Sequence, residues 1–382
     1  MDISDFKAGT WRKAYNQKAY QYQYFLPEKI NHTFFWTDES VNELLERASL
    51  KLGELNSFSR FIPDVDMFIR MHVFKEAVTS SRIEGTRTNI EEAIVEEKAI
   101  NPEKRDDWRE VNNYVTAMNT AIQELNTLPL SNRLIRNTHK ILLASGRGEL
   151  KNPGEFRESQ NWIGGATLSD AVFIPPAPTE LPELLADLEK FLNNRELKIP
   201  HLIRIAIVHY QFETIHPFLD GNGRIGRLLT TLYLVNTGVL EKPLLYLSDF
   251  FEINKNLYYD NLELVRTKND IGQWLKFFLS GVIQTAEKGV STLQKITDLK
   301  ATIENEKILL MGKRAKQGSV LLHALFSKPV VTANNIQEIT GLSAKAANNL
   351  IQAFLDAGIL KETTGYRRNR VFSFDDYLKL FL

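Results

Sequence analysis

The sequence predicts a mainly α-helical protein with a β-hairpin flap between its helices and a smaller mixed unit at its C-terminal end. Apolar residues recur at helical spacing in most of the long segments. A stretch rich in Pro and Gly, residues 152–178, interrupts this pattern, and the pattern changes again after about residue 300. With 382 residues, the chain is long enough for two or three domains.

The first hundred residues are predicted to be helical and to form one N-terminal region, residues 1–100. Residues 1–37 are rich in aromatic side chains but weakly periodic, so we expect an irregular packed arm there. The segments "DESVNELLERASLKLGEL", from Asp38, and "DVDMFIRMHVFKEAVTSSRIEG", which ends at Gly85, have apolar positions at helical spacing. Both are predicted to be helices.

Helical periodicity continues on both sides of the flap through a predicted core, residues 101–295. Inside the flap, two β-favouring runs flank Gly164 and Gly165, which predicts a hairpin. The segment "PHLIRIAIVHYQFETI" is apolar almost all round, so we expect a buried helix. This helix leads directly into "HPFLDGNGRIGR", which begins at His216.

The last part of the chain, residues 300–382, is predicted to be a separate domain after a polar boundary at residues 295–316. "NNIQEITGLSAKAANNLIQAFLDAGIL" predicts two helices joined by a short turn, and two β-favouring runs follow. This order looks like a winged-helix domain, which would contact either DNA or protein. Four cations on the second helix and the tip would suit DNA phosphates: Lys345, Arg367, Arg368 and Arg370.

The composition excludes several classes of protein. Lys and Arg number 47 and Asp and Glu number 47, so no net charge draws the whole chain to nucleic acid or to a membrane. The absence of Cys excludes disulfides, thiolate metal sites and a Cys nucleophile. No apolar run reaches the roughly 18 residues of a membrane span, and the N-terminus has no apolar signal-peptide core, so we expect a cytoplasmic protein that contacts no membrane.

The stretch "DGNGRIGR" concentrates groups that suit the binding of a polyphosphate. Gly221, Asn222 and Gly223 can point successive N–H groups into one concavity at the start of a helix, where anions bind. Arg224 and Arg227 follow at i,i+3 spacing, so that both guanidinium groups can reach the same anion.

Two further side chains complete this candidate site. Asp220 would repel phosphate unless a cation lay between them, and one carboxylate together with substrate phosphates is a typical Mg²⁺ environment. A histidine such as His216, with an ordinary pKa of about 6.5, suits a general base. The combination predicts phosphoryl or nucleotidyl transfer, although neither a Walker motif nor a kinase Gly-rich loop is present.

The segment from His216 to Arg227 matches every fixed position of the signature H-P-F-x-[D/E]-G-N-G-R-x-x-R, so the chain resembles the Fic family. The resemblance covers roughly residues 100–290 and implies a Fic-type helical core with a β-hairpin flap. It also implies a reaction in which AMP passes from ATP to a Tyr, Thr or Ser hydroxyl of a target protein.

The resemblance implies a role for each residue of the motif. His216 would deprotonate the hydroxyl group, and Asp220 would hold Mg²⁺ between the α- and β-phosphates. Arg224 and the glycine-rich turn would bind phosphates, and Arg227 would engage the γ-phosphate. A branch of the family that phosphorylates its targets has Lys in place of Gly223, so the glycine found here argues against that branch.

Outside the motif, the resemblance implies two contacts with substrates. The flap at Gly164 and Gly165 would pair with an extended segment of the target as an added strand. Tyr259, the second residue of a Tyr-Tyr pair, would lie beside the adenine. The alternative for the Tyr258 and Tyr259 pair is a place in the apolar core.

A second short pattern, "SSRIEG", matches the inhibitory motif [S/T]-x-x-x-E-[G/N] of Fic proteins at Ser80, Glu84 and Gly85. The resemblance implies that Glu84 pairs with Arg227 and so occupies the place of the γ-phosphate. An isolated carboxylate at the end of a helix is more often solvated, so the prediction depends on the full motif further along the chain.

Three alternatives stay open at this stage. The chain could be a DNA-binding regulator whose Fic core senses nucleotide, or an enzyme that removes AMP from proteins with Glu84 positioning a water. It could also transfer another nucleotide or phosphocholine. The oligomeric state is open too, with a homodimer among the candidates.

Overall fold

The structure, a computed structural model, describes residues 2–15, 21–62, 65–365 and 370–381. The α-helices in these ranges are α1 (Glu39–Arg60), α2 (Val65–Ile83), α3 (Ile90–Ala93), α4 (Arg105–Glu124), α5 (Asn132–Leu142), α6 (Leu181–Asn193), α7 (His201–Ile215), α8 (Asn222–Asn236), α9 (Ser248–Ile253), α10 (Lys255–Lys268), α11 (Ile271–Ile303), α12 (Ala315–Ser327), α13 (Ala333–Thr340), α14 (Ala344–Asp356) and α15 (Asp375–Leu378). The strands are β1 (Gly9–Tyr15), β2 (Gln21–Pro27), β3 (Val330–Thr332), β4 (Lys361–Glu362) and β5 (Val371–Ser373). The predicted mainly α-helical fold is therefore confirmed.

Helix α7 lies at the centre of the core. Every residue from Leu202 to Ile215 is buried, as the apolar sequence of this segment predicts. Helices α6, α8 and α11 pack around it, and the indole N–H of Trp274 in α11 donates a hydrogen bond to the carbonyl of Ala206 (2.8 Å). Because α7 is held on several sides, its C-terminal end is a rigid base for the motif that follows.

The N-terminal residues contain a β-hairpin, which shows that the prediction of an all-helical first hundred residues was wrong. Strands β1 and β2 pair antiparallel, and Trp11 lies opposite Phe25 with their ring centroids 5.2 Å apart. Such cross-strand aromatic pairs stabilise a sheet. Tyr and Gln alternate in β2, a period of two that indicates a strand rather than an irregular arm.

The flap is held by one antiparallel bridge between Ile163 and Phe173 instead of two full strands. Gly164 (φ 68°) and Gly165 (φ 74°) both adopt left-handed conformations at the start of residues 164–172, which this bridge encloses, so the connection is longer than a turn formed by the two glycines alone. Because the returning arm runs directly into Pro175 and Pro176, which have no N–H to donate, the pairing cannot extend.

The helix α11 continues to Ile303 and therefore passes through part of the predicted boundary at residues 295–316. The chain then forms short π-helical and 3₁₀-helical turns and kinks at Gly312 (φ 57°) before α12 begins. The domain limits 1–100, 101–295 and 300–382 stay predictions, since the packing does not mark where one unit ends.

The C-terminal unit, residues 315–381, contains α12 to α15 and a three-stranded sheet in the order β3–β5–β4. Thr332 caps α13, Ser343 caps α14, and Gly341 (φ 68°) ends α13 between them. The predicted pair of helices followed by two short strands is present. The tip of the β-hairpin, with Arg367 and Arg368, lies outside the described residues.

Within the described ranges, none of the helices combines the length and the apolar character of a membrane span.

Candidate active site

The motif forms a tight loop between two buried helices. Helix α7 ends at Ile215, and His216 follows in the left-handed conformation (φ 49°, ψ 61°). Helix α8 begins after Gly221, which is also left-handed (φ 77°). A residue other than Gly in this conformation is uncommon and is often found at functional sites.

Asn222 closes the loop upon itself. Its Oδ1 accepts a hydrogen bond from the backbone N–H of Phe218 (2.8 Å), and its Nδ2 donates to the Phe218 carbonyl (2.9 Å). The side chain is buried, and both of its polar atoms bond to the backbone of Phe218. We therefore expect Asn222 to contact an anion only through its backbone N–H, at the start of α8.

His139 in α5, which the sequence analysis did not identify, packs against the loop and bonds to its backbone. Its ring is stacked on Phe218, with centroids 3.7 Å apart. The N–H of Gly154 donates to Nδ1 (2.8 Å), so the proton is on Nε2, which donates to the carbonyl of Asp220 (3.0 Å). Burial lowers the pKa of His139 to about 4, which keeps the ring neutral.

Two further residues that the sequence analysis missed connect the flap to the loop. Arg157 Nε donates to the carbonyl of His216 (3.0 Å), and Asn161 Nδ2 donates to the carbonyl of Phe218 (2.9 Å). Arg157 also donates from Nη2 to the carbonyl of Pro176 on the returning side of the flap (2.6 Å). The flap and the catalytic loop are thereby held as one unit.

His216 is neutral in this environment. Burial and the positive charge of Arg157 lower its pKa and the carboxylate of Glu84 raises it, and the balance is a pKa of about 4. Its Nδ1 is buried and has no hydrogen-bond partner among the described residues. A neutral imidazole can accept a proton at pH 7, which general-base catalysis requires.

Asp220 is a lone carboxylate at the mouth of the loop. Its Oδ1 accepts from the backbone N–H of Gly221 (2.6 Å) and from Nη2 of Arg224 (3.4 Å), and its side chain is 41% exposed. In the part of the chain that the structure describes, no cluster of three or more His, Cys, Asp or Glu side chains could hold a metal ion. The residues therefore fit a Mg²⁺ ion that receives most of its ligands from substrate phosphates and water.

Arg224 is buried, with a side chain only 3% exposed, and has incomplete hydrogen bonding. Its Nη1 lies 3.4 Å from Oε2 of Glu110, and its Nη2 lies 3.4 Å from Oδ1 of Asp220. Its Nε is buried and has no partner among the described residues. Glu110, on α4, carries no pattern that could identify it in the sequence.

Arg227 is held entirely by the end of α2. Its Nη2 donates to Oε1 of Glu84 (2.6 Å) and to the carbonyl of Ser80 (2.9 Å), and its Nε donates to Oγ of Ser80 (2.9 Å). The structure thus brings Ser80 and Glu84 of the inhibitory pattern together with Arg227, the partner that the resemblance implies.

The charges of Glu84 and Arg227 stabilise one another. Burial acts to raise the pKa of Glu84, but the charge of Arg227 and its hydrogen bond outweigh that effect and lower it. Burial acts to lower the pKa of Arg227, but the carboxylate of Glu84 outweighs it and raises the pKa. Both side chains are therefore ionised at neutral pH.

The carboxylate of Glu84 lies against Gly223. A Cβ atom at Gly223 would overlap Oε1 of Glu84 and crowd Nη1 of Arg227. The carboxylate of Glu84 thus lies close to the glycine-rich turn as well as to Arg227.

The two tyrosines of the predicted pair differ in environment. Tyr258 is buried and donates its hydroxyl hydrogen to Nε2 of His209 (2.9 Å), whose Nδ1 donates to the carbonyl of Gly226 (3.0 Å). Tyr259 is 41% exposed, and its pKa is raised to about 12 by partial burial and by the charge of Glu84. Tyr259 therefore borders the site, while the adenine contact stays a prediction.

The cations predicted for the C-terminal unit differ in availability. Arg370 forms an ion pair with Glu362 on the neighbouring strand, and Lys345 on α14 is exposed. Arg367 and Arg368 lie outside the described residues.

Two family models match the chain. The model described as "Fic/DOC family N-terminal" matches residues 42–123, and the model described as "Fic/DOC family" matches residues 129–234. The first match contains Ser80, Glu84 and Glu110, and the second contains the whole motif loop.

Curated proteins of the same kind are similar over part of the chain. "Protein adenylyltransferase Fic" of Aedes aegypti is 33% identical over 129 residues, which is 32% of this chain and 22% of that protein. The protein of the same name from Drosophila virilis is 27% identical over 215 residues, 53% of this chain and 42% of that protein. The chain thus spans less than half the length of these relatives.

Solved structures show the same fold. A Fic family protein from Desulfovibrio desulfuricans G20 has a TM-score of 0.57 and 20% identity, covering 90% of this chain and 98% of that one. A Fic domain containing signaling protein from Bacteroides thetaiotaomicron has a TM-score of 0.52 and 21% identity, covering 66% of this chain and 96% of that one.

Proposed function

Because the chain belongs to the Fic/DOC family, we propose that it is a protein adenylyltransferase that transfers AMP from ATP to a hydroxyl group of a target protein. The observation that carries the proposal is the geometry of the motif loop, where His216, Asp220, Arg224 and Arg227 lie around the glycine-rich turn. The curated relatives named protein adenylyltransferase support the same activity.

The chemistry begins with the neutral ring of His216. The imidazole accepts the proton of the target hydroxyl, whose oxygen attacks the α-phosphorus of ATP. A new P–O bond forms to the target, and the bond between the α-phosphorus and the bridging oxygen breaks, so that pyrophosphate leaves with the bonding electrons. A Mg²⁺ ion held by Asp220 would neutralise charge on the phosphates.

The phosphates are bound by the start of α8 and by the two arginines. The N–H groups of the glycine-rich turn point toward the anion with the positive end of the helix dipole. Arg224 has an unpartnered Nε that an anion could satisfy. Arg227 is the partner proposed for the γ-phosphate, whose charge and geometry resemble those of a carboxylate.

We propose that Glu84 inhibits the enzyme by holding Arg227 and filling the concavity at Gly223. ATP must displace this carboxylate before its γ-phosphate can reach the guanidinium, whose side chain is only 1% exposed. Since the inhibitor belongs to the same chain, its effective concentration is high and ATP competes with it poorly.

We propose that an extended target segment pairs with the outgoing arm of the flap. The returning arm is already paired on its outer edge, because the N–H of Phe25 in β2 donates to the carbonyl of Ile174 (2.9 Å). In the described part of the chain, Trp162 and Gly164 on the outgoing arm make no backbone hydrogen bond. An added strand could use their N–H and C=O groups.

For the C-terminal unit, we propose the winged-helix arrangement and a protein partner rather than DNA. The order of α12, β3, α13, α14, β4 and β5 supports the arrangement. The ion pair between Arg370 and Glu362 removes one of the cations available to phosphate. A DNA affinity that falls steeply as salt increases would contradict the choice of partner.

The cytoplasm is the compartment that we propose, since the chain contains no Cys.

The experiment is to measure transfer of label from α-labelled ATP to proteins of a cell lysate. We expect Glu84→Gly to label proteins, including itself, far more than the original chain does, and Glu84→Gly/His216→Ala to label none. The exposed Glu91 provides a control, since Glu91→Gly should behave like the original chain. Mass spectrometry should find the mass of AMP on Tyr, Thr or Ser.

Each outcome separates the parts of the proposal. Labelling by Glu84→Gly equal to that by the original chain would contradict inhibition, and no labelling by any variant would contradict transfer. Release of AMP from a previously modified protein, dependent on Glu84, would favour the hydrolytic alternative.

A further inference from the structure

Both arginines of the motif contact a carboxylate from the N-terminal part of the chain. Arg227 pairs with Glu84, and Arg224 pairs with Glu110. The two carboxylates differ in exposure, because the side chain of Glu84 is 35% exposed and that of Glu110 only 6%. Glu84 is thus the more accessible of the two carboxylates, and Glu110 is buried.

The carboxylate of Glu110 is fixed by a second arginine, Arg147. Arg147 Nε donates to its Oε1 (2.7 Å), and Arg147 Nη2 lies 3.3 Å from its Oε2. Arg147 is itself held by Asp107, one helical turn before Glu110 in α4 (3.1 Å). Gly146 packs against the Glu110 side chain, so the loop after α5 covers it. The position of this carboxylate is therefore set before any ligand binds.

Glu110 and Asp220 orient Arg224, but they leave part of its hydrogen-bonding capacity unused. Its contacts with Glu110 and Asp220, at 3.4 Å each, are longer than the usual 2.7 to 3.2 Å of an N–H···O hydrogen bond. Its Nε has no partner among the described residues. A buried cation with long contacts and an unused donor is ready to bind an anion at short distance.

We propose that Glu110 is a positioning residue for Arg224. The carboxylate holds the guanidinium in the orientation that binds phosphate oxygens, and it balances the charge of Arg224 on the side that faces away from Asp220. Without it, Arg224 would turn toward Asp220 and form a close pair. In that pair, Arg224 could no longer bind phosphate and Asp220 could no longer hold the metal ion. The inference rests on the proposed function, because it takes nucleotide phosphates as the ligand.

The test measures binding rather than activity. The parent is Glu84→Gly, in which the site is open, and the probe is ADP with Mg²⁺, which lacks the γ-phosphate proposed for Arg227. We expect Glu110→Gln to weaken ADP binding about tenfold or more, because residues that orient a ligand contact typically have effects of this size. The exposed Asp106 on the same helix provides the control, and Asp106→Asn should bind ADP as the parent does.

A double-mutant cycle separates positioning from general support of the structure. If Glu110 acts through Arg224, Glu110→Gln should have no further effect on ADP affinity once Arg224→Ala is present. Equal effects of Glu110→Gln with and without Arg224 would overturn the inference. If Glu110→Gln does not fold, Glu110→Asp keeps the charge but shortens the side chain, and unchanged ADP affinity in that variant would overturn it as well.

The experiment also separates this inference from the proposed function. If the parent transfers AMP and Glu110→Gln binds ADP as tightly as the parent, the inference fails and the function stands. If the parent transfers no AMP but Glu110→Gln still loses ADP affinity through Arg224, the function fails and the inference stands.

Discussion

At the scale of single residues, the site depends on charges that are buried next to one another. Glu213 in α7 is buried, and burial raises its pKa to about 7. A Cβ atom at Gly226 would overlap its carboxylate, so the glycine between the two arginines of the motif makes room for this side chain. The sequence shows that these glycines exist, but it does not show that both Gly223 and Gly226 accommodate glutamates.

The pH dependence of AMP transfer should reflect the environment of His216. Burial and the charges of Arg157 and Arg266 lower the pKa of this histidine, while Glu84 raises it, and the balance is a pKa of about 4. The neutral ring therefore persists well below the ordinary value of about 6.5. In Glu84→Gly, which lacks the carboxylate that raises the pKa, we expect the acidic limb of kcat/KM near pH 4 or lower.

The measurement is a pH profile of AMP transfer to one purified target, with Glu84→Gly/His216→Ala as the background. An acidic limb centred near pH 6.5 would contradict the burial of the ring, because it would mean that His216 titrates as it does in water.

At the scale of secondary-structure elements, α2 both packs in the core and contacts the motif through its C-terminal end. Its apolar residues belong to the core, and its last turn provides Ser80 and leads into Glu84. Lys255 at the start of α10 donates to the carbonyl of Ile83 (2.7 Å), which holds this end of the helix in place. The position of Glu84 is therefore determined by helix packing.

Removing the hydroxyl of Ser80 should activate the enzyme in part. Ser80→Ala removes the hydrogen bond to Nε of Arg227 but leaves the backbone carbonyl and Glu84 in contact with it. Because a hydrogen bond to a charged group contributes roughly 1.5 to 3 kcal/mol, we expect AMP transfer between that of the original chain and that of Glu84→Gly. The measurement is the initial rate with α-labelled ATP.

The neighbouring serine is a matched control. Ser81 is equally buried, and its Oγ has no hydrogen-bond partner among the described residues. Ser81→Ala should leave the rate unchanged. Equal activation by both substitutions would mean that the packing of α2, and not the contact with Arg227, limits activity.

Most elements could be predicted from the sequence because helical periodicity and caps are local signals. The N-terminal hairpin was missed, since its Tyr and Gln residues alternate over only a few positions beside other aromatic residues. The flap was predicted as two β-favouring runs around Gly164 and Gly165, but a single bridge joins Ile163 to Phe173 across residues 164–172. Local sequence identifies a turn more reliably than the length of the strands around it.

At the scale of the whole molecule, the C-terminal unit packs on α2. Phe326 of α12 contacts Phe68 of α2 edge to face, with ring centroids 5.4 Å apart. His72, one turn further along α2, contacts the ring of Phe381 near the C-terminus (5.1 Å). Helix α2 therefore touches the C-terminal unit at one end and the active site at the other.

Truncating Phe326 should loosen this contact. Phe326 is fully buried, and a buried Phe→Ala substitution costs about 3 to 5 kcal/mol. We expect Phe326→Ala to lower the unfolding temperature and to speed limited proteolysis within residues 304–314, which connect α11 to α12. The measurements are thermal unfolding and mass spectrometry of the fragments.

The control for this substitution is Val320→Ala, at a position of α12 that is 43% exposed. It should change neither measurement appreciably. If Phe326→Ala and Val320→Ala gave the same proteolysis pattern, the packing of Phe326 on α2 would contribute little to the stability of the C-terminal unit.

The sequence by itself determined the mainly helical fold, the loop from His216 to Arg227 and the kind of chemistry the loop supports. These features lie in short continuous segments, where spacing along the chain fixes spacing in space. The resemblance implied that Glu84 meets Arg227, but only the tertiary structure shows that pair in contact and shows that Glu110 meets Arg224. Glu84 and Arg227 are 143 residues apart, and Glu110 and Arg224 are 114 residues apart. Contacts across such distances depend on how α2 and α4 pack against α8, and no local pattern encodes that packing.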